Sequence, residues 1–157
     1  YQWGRNTDGH EKIHSKTTKK KGKTITDSGD KFVINDDGDW TTSTHRGENW
    51  RATDGRSVCP AGFRVPNKNE FQAEMVNIES KKDIYKNFLK MPFAGYRSMS
   101  SGKIEDSEEA FTYWINGVPA DENYLSYALI ANNYNRLEVY VYKNSRAYGN
   151  SIRCIKN

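Results

Sequence analysis

At 157 residues, 35% of them hydrophobic and 28% charged, the chain is sized for one domain, 1–157, with apolar content low for a globular protein but above that of disordered chains. Ten Tyr, four Trp and six Phe make much of the burial aromatic, and no apolar run approaches the roughly 20 residues of a transmembrane helix. The net charge of +4 resides in residues 1–31, with eight basic and four acidic side chains, so the body is neutral and carries no nucleic-acid-binding basic face.

Tyr1, Trp3 and Ile13 around Gly4 and Gly9 predict a short strand and a turn over residues 1–14. Residues 15–31 are Lys, Thr, Gly and Asp with little apolar content, a basic exposed loop or hairpin within the domain. Phe32-Val33-Ile34 is a short buried run, and Asn35-Asp36-Asp37-Gly38-Asp39 is a turn. Trp40 and Trp50 bracket a polar stretch, which predicts loops pinned by aromatic plugs. Asn67 caps a first helix with Glu70 three residues on, and Phe71, Met75 and Ile78 form its apolar face. Ser80 or Lys81 interrupts it. A second helix carries Ile84, Tyr85, Phe88 and Leu89 and stops before Pro92.

Beyond Pro92 the apolar period changes to two. Phe93 to Arg97 reads as a short strand, and Ser98 to Glu109 as polar turns. Phe111, Tyr113 and Ile115 alternate with Thr112 and Trp114, and Leu125, Tyr127, Leu129 and Ala131 with Ser126, Ala128 and Ile130. Leu137, Val139 and Val141 alternate with Glu138, Tyr140 and Tyr142, and Ile152 and Cys154 with Ser151 and Arg153. These are half-buried antiparallel strands with one wetter face. Two helices before a run of strands is an α+β pattern. Cys59 and Cys154 allow one intrachain disulfide, stabilising by about 4–5 kcal/mol on chain-entropy grounds, or two buried free thiols. Their spacing excludes a CxxC redox or zinc motif.

Four stretches resemble a known family: Tyr1-Gln2-Trp3-Gly4-Arg5 with Asp8-Gly9; Cys59-Pro60-Ala61-Gly62-Phe63-Arg64-Val65-Pro66 with Glu70-Phe71; Ala94-Gly95-Tyr96-Arg97 with Ser101-Gly102; and Ser151-Ile152-Arg153-Cys154-Ile155-Lys156. The family is the Fibrobacter succinogenes major paralogous domain. The resemblance implies a C-type-lectin-like fold, two helices packed on a twisted antiparallel sheet with long loops, whose chain ends meet in the sheet. It also implies pairing of Cys59 with Cys154, an extracellular or cell-surface location, and a parent that is larger and anchored upstream. The chain departs from the family at Tyr113-Trp114-Ile115-Asn116, at residues 117–123 and at residues 144–149, where a lectin-like scaffold places its variable loops.

A sugar presents a flat C–H face and in-plane hydroxyls, which aromatic rings and Asn, Asp, Glu or Arg side chains meet. The candidate ligand-binding residues are Trp114, Asn116, Asp121, Glu122, Asn132, Asn133, Tyr134, Asn135, Arg136 and Tyr148, with Trp114, Asn133, Tyr134, Arg136 and Tyr148 expected near one surface. The strand pattern also allows Trp114 to face the core, and a hairpin loop alone accounts for Asn132 to Arg136. No cofactor is expected, with calcium as the one alternative. Asp121, Glu122 and Asn123 lie where the resemblance places a calcium-dependent sugar site, although the Glu-Pro-Asn tripeptide is missing. Asn35, Asp36, Asp37 and Asp39 are a second oxygen-rich stretch that fails the EF-hand pattern.

His10 and His14 lack an evident third metal ligand, no nucleophile–base context accompanies His45, and the copper-binding cysteines of formylglycine-generating oxidases are absent, so a non-enzyme is expected. Lys16, Lys19, Lys20, Lys21 and Lys23 have no interleaved aromatics, which argues against nucleic acid as a partner. The expected function is recognition of a surface glycan through loops. The alternatives are a protein-binding tip of a pilus, adhesin or phage receptor-binding protein, and an assembly domain without a small ligand.

Overall fold

A computed structural model gives the architecture of the chain and describes residues 1–87, 89–120 and 124–157, with Asn49 by its backbone alone. The described residues form a mixed α+β fold. In chain order the elements are β1 (Thr17–Thr18), β2 (Phe32–Val33), α1 (Arg46–Arg51), β3 (Phe63–Arg64), α2 (Lys68–Glu74), α3 (Lys81–Lys86), β4 (Tyr96–Arg97), β5 (Ile104–Glu105), β6 (Ala110–Trp114), β7 (Leu125–Asn132), β8 (Glu138–Ser145) and β9 (Ile155–Lys156). None of these helices is long and apolar enough to cross a membrane.

The largest sheet is the antiparallel meander β6-β7-β8. Its register puts Phe111, Ala131 and Val139 in one row and Tyr113, Leu129 and Val141 in the next, all on one face. That face packs on Phe71 of α2, Ile84 of α3 and the Leu89, Met91 and Phe93 run that follows. The first helix starts as expected, with the Asn67–Glu70 capping box, and Ser80, expected to interrupt the first helix, caps the second in a box with Asp83.

Both helices also stop earlier than the apolar spacing predicts. Asn77 takes a left-handed φ of 64°, which ends the first, so Met75 and Ile78 pack on the core from outside it. The second is capped by Asn87, whose side-chain oxygen accepts from the Lys90 amide at 2.9 Å, a local turn that competes with helix. Leu89 reaches the core without being helical, and Phe88 lies outside the described residues. A third helix, α1, occupies the polar stretch between Trp40 and Trp50. It has no apolar period, because Trp50 alone anchors it to the Trp3 cluster.

The basic segment is not a hairpin. β1 pairs with β2 in parallel, so residues 19–31 form a largely exposed crossover. The predicted strand in residues 1–14 is absent: its main chain pairs with side chains and, at Tyr1 and Trp3, with the irregular backbone at Asn150 and Arg146. The Trp114 indole donates to the Tyr1 carbonyl at 2.7 Å, Trp40 to that of Trp3 at 2.8 Å and Trp50 to that of Arg5 at 3.2 Å. The Gln2 amide is saturated. Its nitrogen donates to the carbonyls of Val33 and Ala147, both at 2.8 Å, and its oxygen accepts from the Val33 amide at 3.0 Å and the Arg5 guanidinium at 2.9 Å. An irregular buried segment thus meets the requirement that its polar groups be paired.

This segment, with α1 and the Cys59 loop, covers Trp114 on the second face of β6. All five residues of β6 are buried, where a wetter face was expected for Thr112 and Trp114. Trp114 is fully buried beside Trp3, Trp50 and Val65, a core residue and not a ligand platform.

The chain ends meet. The main-chain nitrogen of Tyr1 donates to the Asn150 carbonyl at 2.8 Å and the Asn150 amide to the Tyr1 carbonyl at 3.0 Å. Regular pairing of the C-terminal segment begins only at β9, antiparallel to β3, while Ser151 bridges β6 in parallel. A disulfide joins Cys59 to Cys154, closing 95 residues of sequence separation.

Gln2→Ala strands the Val33 amide and two buried carbonyls, and should cost at least about 3 kcal/mol in urea unfolding. Trp114→Ala should cost about 3–5 kcal/mol, as for a core aromatic; a loss under 1 kcal/mol would place its ring on the surface.

Candidate functional site

On the face of the sheet away from the helices, Trp3 and the Tyr1 carbonyl cover Trp114 of β6. Towards β8 the same face is open, with Tyr140 and Tyr142 exposed. A cavity of about 260 Å³ lies there, floored by Thr112 of β6 with Ile130 of β7. One wall is β8, the edge strand, with Tyr140, Tyr142 and Asn144. The facing wall is Tyr96 of β4 and Tyr148. Asp106, Asn132 and Tyr134 close the end.

The five tyrosines include two perpendicular pairs. Tyr140 and Tyr142 meet edge to face at 6.4 Å, and Tyr96 and Tyr148 at 5.5 Å. Such T-shaped pairs fix ring orientation. Tyr134 and Tyr142 are each 57% exposed, so their rings are available to a partner.

Asp106 is positioned by backbone geometry. Gly95 has φ +66°, and a Cβ there would lie 2.1 Å from the Glu105 carbonyl oxygen, so only glycine lets the turn after β5 close against β4. That turn holds Asp106 itself in a left-handed conformation, φ 55°. The hydrogen bond from Tyr134 to the Asp106 carboxylate, and to a lesser degree burial, pushes the Tyr134 hydroxyl up to about 12. Burial, followed by the charge of Asp106, also raises Tyr96.

Of the residues predicted to bind ligand, Asn132, Tyr134 and Tyr148 are brought together here. Asn133, Asn135 and Arg136 sit in the turn beyond, Arg136 fastened to Glu138 at 3.0 Å. Trp114 and Asn116 are at the opposite end of β6, Trp114 buried and the Asn116 amide bonded to the Pro66 carbonyl at 2.8 Å. Asp121, Glu122 and Asn123, the candidate calcium ligands, lie outside the described residues. Sequence reasoning missed Tyr96, Asp106, Tyr140, Tyr142 and Asn144. The alternation Glu138, Tyr140, Tyr142, Asn144 carried the signal for three of them, as the wet face of a strand.

Two other polar clusters are built for structure. Asp8, His10 and Glu11 place three ligand-type atoms within 4.8 Å, a potential metal-coordinating set; the exposed His14 is not part of it. Each of those atoms has a protein partner. His10 Nε2 accepts from the Gln2 amide at 3.0 Å, its Nδ1 faces Asp8 at 2.6 Å, and Glu11 accepts from the Gly9 amide at 2.9 Å. The acceptor role of Nε2 puts the proton on Nδ1, leaving no ring lone pair for a metal.

The second cluster lies in a cleft of about 620 Å³ beside Trp3. Asp39 stands between Arg46 at 2.5 Å and Arg146 at 3.7 Å, and Arg146 also donates to Ser126 at 2.9 Å. Burial lowers Arg146 to about 10. The suggested calcium turn is taken up in the same way, Asp39 by Arg46, Asp37 by Lys21 at 3.1 Å, and Asn35 by the Asp37 amide at 2.7 Å.

Comparison of the chain with protein-family models, with curated proteins and with solved structures gave no match.

Burial pulls His10 down from 6.5 to about 4, against the opposing bond to Asp8. Between those values the unfolded chain holds a proton that the fold excludes, so stability falls as pH drops from 6.5 towards 4. The loss should reach about 3 kcal/mol and be absent in His10→Gln, read as the difference between the two proteins in urea unfolding at pH 7, 5.5 and 4. Equal slopes would show that His10 is protonated in the fold.

Proposed function

We propose that this chain is an extracellular recognition domain of C-type-lectin-like architecture that binds carbohydrate in the tyrosine groove. The observation that carries the reading is the five tyrosines, Asn132, Asn144 and Asp106 gathered about one cavity on the open side of a sheet face. Rings of this kind cover the C–H face of a sugar, and amide and carboxylate groups meet its hydroxyls. The disulfide supports an oxidising, extracellular setting. The meeting of the chain ends and the packing of α2 and α3 on one sheet face support the lectin-like architecture.

A protein partner is the second reading. Among the described strands β8 pairs on one side only, and an eight-residue edge can accept an added strand.

The test is a glycan array, run with and without chelator because Asp121, Glu122 and Asn123 are the proposed calcium ligands. Tyr140→Ala and Tyr142→Ala should each weaken binding about tenfold, roughly 1.4 kcal/mol, with little change in melting temperature. Unaltered binding in the double variant would remove this groove from consideration.

A further inference from the structure

The tyrosine groove differs from the rest of the molecule in charge. The chain carries 24 Lys and Arg against 20 Asp and Glu, yet among the described residues no Lys, Arg or His lines this cavity. Among the described lining residues the only formal charge is the Asp106 carboxylate. In the adjoining turn Arg136 is held by Glu138 at 3.0 Å. The negative charges of Asp106 and Glu109 both reach Tyr134, and those of Asp106 and Glu105 reach Tyr96.

The rings add to this field. An aromatic face is the negative part of its quadrupole, and several faces turned about one space attract an organic cation. Perpendicular pairs on facing walls, Tyr140 with Tyr142 and Tyr96 with Tyr148, present faces from different directions. A carboxylate at the end of such a space adds direct Coulomb attraction, strengthened where water is displaced.

We propose that the ligand of this groove carries an ammonium group, held between tyrosine faces and the Asp106 carboxylate. Resting on the carbohydrate reading of the same groove, this makes the preferred ligand an amino sugar with a free, protonated amine. Neutral sugars bind more weakly and uronic acids are repelled.

The experiment is calorimetric titration of the whole chain with three oligosaccharide probes, glucosamine oligomers, N-acetylglucosamine oligomers and galacturonate oligomers, and with tetramethylammonium as the minimal cation. Glucosamine oligomers should bind at least tenfold more tightly than their acetylated counterparts at low salt, with the difference shrinking as salt is raised. Asp106→Asn should abolish that preference. Asn tolerates the left-handed backbone at this position, and an unchanged melting temperature confirms the fold. Tyr142→Phe should retain the cation and Tyr142→Leu should lose it, because the ring face and not the hydroxyl makes the contact. Equal affinity for amine and acetylated oligomers would overturn the ammonium assignment and leave the carbohydrate reading standing. Binding of tetramethylammonium with no saccharide bound would keep the assignment and overturn the carbohydrate reading. No binding of any amine or of tetramethylammonium would overturn the assignment.

Discussion

The fold depends on pairing the main chain of residues 1–5, which is buried without belonging to any sheet or helix. A buried carbonyl without a donor costs as much as a lost hydrogen bond. The chain meets this with indoles. Trp114, Trp40 and Trp50 donate to the carbonyls of residues 1, 3 and 5, while the fourth indole, Trp3, donates to Ile115 at 3.0 Å. The saturated Gln2 amide links β2, Ala147 and Arg5 beneath them. Each tryptophan therefore serves twice, as apolar volume and as a donor.

The same pairing shapes the groove. Because residues 1–5 are fixed over Trp114 of β6, the sheet face is sealed there and left open between β4 and β8. The buried arginines are likewise committed to the scaffold. Arg97 stacks over Phe32 at 4.2 Å and donates to the carbonyls of Gly102, His10, Lys12 and Ser15, which binds the loop before β1 to β4. Arg5 holds Asp8 at 2.8 Å and the Gly29 carbonyl at 2.6 Å. Cations are spent on carbonyls and ion pairs elsewhere, and the open surface at the groove is aromatic and acidic.

The stretches that carry the family resemblance are mostly structural. Gln2, Arg5, Gly95, Arg97, Cys59 and Cys154 each make or permit a contact that closes the fold. Tyr96 alone among them lines the groove as well. The groove otherwise comes from the wet alternation of β8, from Asp106 in a tight turn and from Tyr134 and Tyr148. The candidate groove was thus partly legible: Asn132, Tyr134 and Tyr148, named as polar or aromatic residues at strand ends, line it. Tyr140 and Tyr142 were visible as a wet strand face but were outweighed by the loops. Trp114 was left between core and ligand face, because alternation gives two faces and does not say which one a distant segment will cover.

What the sequence determined by itself is what short-range physics decides. The capping box at Asn67, the period-two strands β6 to β8 and the turn at residues 35–39 all depend on neighbours within a few residues. Tertiary structure alone decided the rest. It placed residues 1–5 over Trp114, made β1 and β2 parallel, and brought Tyr96 and Asp106 opposite β8. These outcomes depend on which polar groups meet across the chain, such as Gln2 with Ala147 over 145 residues, and hydrophobic period carries no information about such partners.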